Sequence, residues 1–90
     1  MQVIDRMEDA GGADDYIRFR VYRSHRGIRA NWQRGEGEYG MASIGTSLLA
    51  LPVEIDFQRA YNEAAQYGVP FLWVDDPEGL FPPDQRPQPP

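Results

Sequence analysis

YIRFRVYRSHRGIRANWQR, Tyr16 to Arg34, alternates strictly, and its alternation decides the fold. Ile17, Phe19 and Val21 point one way, while Tyr16, Arg18, Arg20 and Tyr22 point the other. After a turn cluster, Ile28, Ala30 and Trp32 alternate with Arg29, Asn31 and Gln33. Period-two patterning on both sides of a turn predicts a β-hairpin with one buried face. Parity then selects the loop. A four-residue loop, Ser24 to Gly27, sets Val21 opposite Ala30 and Phe19 opposite Trp32. A three-residue loop sets Val21 opposite Asn31 and mixes the two faces, which a half-buried sheet resists. Gly27 closes the loop because glycine adopts positive φ without strain.

Working outward, GEGEYG (Gly35 to Gly40) reads as a turn or connection. Residues 41–51 are apolar and fit either strand or loop. The strand reading runs Tyr39 to Ile44, is broken by Gly45-Thr46-Ser47, and leaves Leu48 to Leu51 leading into a helix. Pro52 suits a first helical position. Beyond it Val53, Phe57, Ala60, Tyr61 and Ala64 recur at three and four, predicting an amphipathic helix of about fifteen residues. Gly68 is placed as its left-handed C-terminal cap, with Pro70 beyond. FLWV, Phe71 to Val74, reads as a short buried strand, and DDPEG as a turn. The expected class is α+β: an antiparallel sheet of three to four strands in the order β-β-(β)-α-β, with one helix covering the Ile17/Phe19/Val21/Trp32 face.

The ends differ in composition. Residues 1–15 read as a flexible acidic N-terminal segment in which Val3-Ile4 adds at most a short edge strand. Residues 16–81 form a single compact domain, and residues 82–90 a proline-rich tail, extended or disordered. A domain of this size lies near the lower limit for folding unaided, so oligomerisation is an expected source of further stability. The chain has no cysteine, which excludes disulfides and every cysteine-held metal or cluster. No apolar run approaches the roughly 20 residues of a membrane span, and MQVIDRMEDA has no signal-peptide pattern. A cytoplasmic protein with no membrane association is expected. All nine basic residues are arginine, which fits the codon bias of a GC-rich bacterial genome better than a selected set of anion-binding groups.

Charge is unevenly spread. Residues 1–15 are net −4, residues 16–34 net +6 and residues 35–90 net −7, for −5 over the chain. Six of the nine arginines lie in the hairpin. Overall charge argues against general polyanion affinity. The hairpin itself offers a candidate binding face: Tyr16, Arg18, Arg20, Tyr22, Arg29 and Asn31, joined by Gln33. Basic and aromatic residues interleaved on an exposed sheet suit single-stranded nucleic acid or a phosphorylated ligand. The alternative is a sheet face whose arginines meet Glu36, Glu38, Asp75 or a neighbouring subunit, their stems covering apolar surface.

Other features carry less. Asp75, Asp76 and Glu78 in WVDDPEG are turn chemistry before they are a cation site. His25 sits at a hairpin tip with no third group to orient it, so no catalytic constellation is expected. Gly35, Gly37 and Gly40 lack phosphate-loop spacing. The PxxP match at Pro87 to Pro90 is what a proline-rich tail gives by composition. Glu54, Asp56 and Glu63 read as the solvated side of the helix. No metal or cofactor is called for. The eleven aromatic residues exceed what a small one-sided core readily hides, and tyrosine and arginine together resemble the composition of protein interfaces. The leading expectation is a non-enzymatic interaction module that forms a homodimer and binds a protein partner through the Arg/Tyr face. Nucleic-acid or phosphorylated-ligand binding through residues 16–34 is the alternative.

Overall fold

The computed structural model describes residues 1–36, 41–47 and 51–87. Five strands form one mixed sheet: β1 (Gln2–Ile4), β2 (Asp15–Ser24), β3 (Gly27–Glu36), β4 (Met41–Thr46) and β5 (Phe71–Asp75), in spatial order β1-β5-β2-β3-β4. One helix, α1 (Val53–Tyr67), packs on one face of the sheet. The α+β class stands; the antiparallel sheet of three to four strands is corrected to five strands of mixed direction.

The hairpin has the register that parity demands, with Phe19 opposite Trp32 and Val21 opposite Ala30. Its loop closes further than expected, because Ser24 and Gly27 themselves pair and leave only His25-Arg26 at the tip. The Ser24 hydroxyl accepts the Arg26 N–H at 3.1 Å and donates to the Gly27 carbonyl at 3.2 Å, and Gly27 takes φ +102°.

β4 pairs antiparallel with β3, and Gly45-Thr46 continue the strand rather than breaking it. Gly45 is there for space. A Cβ at this position would stand 2.1 Å from Cε2 of Trp32, so only glycine lets the indole lie against the backbone. The register shifts between Trp32 and Gln33: Trp32 faces Gly45 and Gln33 faces Ser43, leaving Ile44 as the extra residue of a bulge. Tyr39, the expected start of this strand, and Leu48 to Ala50 lie outside the described residues.

β5 runs parallel to both its neighbours, β1 and β2. An alternating or apolar run reports burial and not direction, so FLWV could not reveal this. The direction follows from α1, which carries the chain from the β4 rim across the sheet and returns it between β1 and β2. The helix spans the predicted fifteen residues, although Pro52 takes the cap position and not the first helical one. Gly68 ends it at φ 70°, its N–H reaching Ala64 O and Ala65 O.

The core gathers Ile17, Phe19, Val21, Ala30, Trp32, Leu72 and Val74 from the sheet, Val53, Phe57, Ala60 and Ala64 from α1, and Val69 and Phe81. Phe81 reaches it because the Asp76 carboxylate accepts the N–H groups of Leu80 (2.9 Å) and Phe81 (2.8 Å), folding the DDPEG turn inward. Both terminal segments are folded in part. The first supplies β1 and a 3-10 turn at Met7–Ala10. In the second, Pro83–Gln85 form a 3-10 turn, and Arg86 is fastened to Asp5 Oδ1 at 2.6 Å and to the Phe81 carbonyl at 3.2 Å. The PxxP match runs into residues 88–90, outside the described residues.

Candidate binding face

The face of the sheet away from α1 is assembled by strand register. One cross-strand row runs Gly35, Tyr16, Phe71, Gln2. The next runs Ser43, Gln33, Arg18, Trp73, Ile4, and a third runs Thr46, Asn31, Arg20, Asp75. Tyr22 and Arg29 pair at the hairpin end. All six candidate residues, Tyr16, Arg18, Arg20, Tyr22, Arg29 and Asn31, therefore share this face. β5 adds Phe71, Trp73 and Asp75 to it, which sequence reasoning missed. The signal was present: with Leu72 and Val74 turned to the core, the same alternation turns 71, 73 and 75 outward.

Arg18 is the centre of the arrangement. Its Nε donates to Asp75 Oδ2 at 2.8 Å, its Nη2 donates to the same oxygen, and its guanidinium stacks 5.1 Å from the Trp73 ring centroid. Tyr16 meets Trp73 edge-on at 6.3 Å. Tyr16, Trp73 and Phe71 are each half-buried. Ile4 and Ala10 are buried but stand outside the main core, on the β1 side of the molecule.

The other hairpin arginines divide. Arg29 Nη2 donates to the Ser47 carbonyl at 3.1 Å. Arg34 and Arg23 lie on the helix side by parity. Arg34 reaches Asp15 at 3.3 Å and covers the Tyr67 ring at 4.8 Å, while Arg23 stands 4.0 Å from Glu78 in a well-exposed pair. Arg20 is exposed and has no ion-pair partner among the described residues. Beside it, Asn31 Oδ1 is a buried acceptor without a hydrogen-bond partner. The expected counter-charge Asp75 is thus found, whereas Glu38 and the side chain of Glu36 lie outside what is described.

A polar network on the opposite side of the sheet corrects another expectation. Asp56 is completely buried and not solvated. Ser47 Oγ donates to it at 2.5 Å while accepting the Ala30 N–H at 2.8 Å, and Arg59 Nη1 donates to it at 3.3 Å. Arg59 also stacks 5.0 Å from the Trp32 ring, and Trp32 Nε1 donates to Glu63 at 2.8 Å. Two acids taken for the helix's outer side instead tie α1 to β3 and β4. A buried tryptophan needs an acceptor for its N–H, and that need was the available clue.

Comparison with known protein families, with curated proteins and with solved structures finds no match to this chain.

Proposed function

We propose that this protein is a non-enzymatic interaction module that self-associates and binds a protein partner through the open face of its sheet. The observation that carries this is the half-exposed aromatic cluster of Tyr16, Phe71 and Trp73, its Trp73 ring held by Tyr16 and by Arg18, which Asp75 fixes in turn, with exposed Arg20 alongside. Aromatic and arginine side chains dominate binding energy at protein interfaces, above all where neighbours fix them beforehand.

Binding is favoured over catalysis because, among the described side chains of β2, β3 and β5, this face carries one carboxylate, Asp75, and Arg18 occupies it. A protein partner is favoured over nucleic acid because Arg18 is neutralised within the molecule, Arg23 and Arg34 turn away, and the chain is net −5. Arg20, exposed on the same face as Tyr22 and without an ion-pair partner among the described residues, is what keeps the nucleic-acid reading in play.

The test pairs substitutions on and off the face. Arg20→Glu and Trp73→Ala should each abolish capture of the partner that wild-type bait retrieves, while Arg23→Glu should not. Equal loss from all three sinks the reading. Anisotropy titration with short labelled oligonucleotides, at about 50 and 200 mM salt, should show no binding. Tight binding that weakens steeply with salt and is lost in Arg20→Glu replaces the protein partner with nucleic acid.

A further inference from the structure

The sheet has two rims, and they are built differently. At one, β1 is three residues long, runs straight into Asp5 and Arg6, and is pinned by the bond from Arg86 to Asp5. Charges and short length are how native proteins close a sheet edge against further pairing. At the other rim, β4 reads MASIGT: six residues with no charge and no proline. Among the described residues no strand pairs with its outer side.

What guards β4 is local. The bulge places Ile44 against the core, and past it the carbonyls of Thr46 and Ser47 are taken by Arg59 Nη1 (3.2 Å) and Arg29 Nη2 (3.1 Å). These devices close the end of the strand and leave Met41 to Ile44 open. We infer that this open run is where two copies of the chain meet, β4 pairing antiparallel with β4 of the second copy across a twofold axis at Ser43. The inference deepens the self-associating part of the function proposed above.

Three observations select this occupant. Antiparallel pairing of a strand with itself is self-complementary, so a second copy always offers the matching edge. Among the described residues the rim is also electrically quiet. β4 is uncharged, and the nearby Arg29, Arg34 and Arg59 are each engaged within their own molecule. Two chains of net −5 can therefore approach here without opposed charges. Parity gives the axis. Opposed residues in a sheet share a face, so the axis passes through a residue. Ser43 is exposed and lies on the open face opposite Gln33. An axis there sets one hydroxyl against the other and sets Ala42 opposite Ile44. The joined sheets then carry two open faces side by side.

The absence of cysteine makes the test clean. In Ser43→Cys the two thiols face each other across the axis at Cα separations of about 4.5–5.5 Å, within disulfide reach. This variant should oxidise to a covalent dimer, while Ser24→Cys at the hairpin tip should give no covalent dimer. By sedimentation equilibrium the wild type should move with concentration between 10.3 kDa and twice that mass. Ser43→Asp, which opposes like charges at the axis, should weaken the dimer by up to about fivefold with an unchanged circular dichroism spectrum. A wild-type dimer insensitive to Ser43→Asp but lost in Arg20→Glu overturns the β4 contact and leaves self-association in place. A monomer at every concentration, with no cross-linking of Ser43→Cys, overturns the inference even if partner capture through the open face persists.

Discussion

The two faces of the sheet use the same strands and much the same ring chemistry, to opposite ends. On the helix side Phe19 stacks on Trp32 at 5.8 Å, Phe57 meets Phe19 edge-on at 5.7 Å, and Phe81 meets Phe57 at 5.6 Å. All four rings are sealed from solvent. On the far side Tyr16, Trp73 and Arg18 also grip one another, yet stay half-exposed. The inner rings stabilise the fold by leaving water. The outer ones gain little from each other, and their mutual contacts instead hold a surface in one shape. Aromatic content alone does not separate these roles. The layer of α1 on one side of the sheet does.

The comparison breaks most readily at its inner side. Trp32→Ala should cost about 4 kcal/mol in urea unfolding, since it empties the largest buried site and frees the Glu63 acceptor. A loss near 1 kcal/mol would mean the inner face is not the load it is taken to be. Asp56→Ala should cost about 3 kcal/mol, because the Ser47 hydroxyl and Arg59 lose their shared acceptor in a dry site. Gly45→Ala should cost about 2 kcal/mol by forcing the Trp32 ring off the backbone, and a larger substitution there should cost more. On the outer face Trp73→Ala should cost only about 1 kcal/mol while removing partner capture. That split between stability and binding sharpens the contrast more than any single number. Smallest of all, Arg23→Ala should fall within about 0.5 kcal/mol, its pair with Glu78 being long and solvated.

The hairpin was legible because two arms of alternating residues admit one register, and parity carried that register from Phe19/Trp32 to the whole open face. The helix was legible because Gly68 and Pro70 mark its end as firmly as the apolar spacing marks its length. Sheet direction was not. Leu72 and Val74 would be buried equally in a parallel or an antiparallel strand, so β5 gave up its depth and concealed its orientation. Gly45 misled for a related reason. A glycine that makes room for a ring 13 residues away looks, in sequence, like one that breaks a strand. Asp56 and Glu63 were misread because charge predicts exposure only until a buried hydroxyl, guanidinium or indole N–H requires an acceptor.

The insertion of β5 between β1 and β2 has a consequence for how the chain matures. On a ribosome the meander of β2, β3 and β4 emerges early and can zip locally, each strand finding its partner close behind it. β1 emerges before them all but has no place to go, because among the described residues its one strand partner is β5. Residues made before the meander are therefore among the last to be seated. Until Phe71 to Asp75 arrive, the nascent molecule exposes the flank of β2 that β5 will later occupy. Slow, late closure is the kinetic signature of this topology, and a chaperone or a second nascent copy has that interval in which to act.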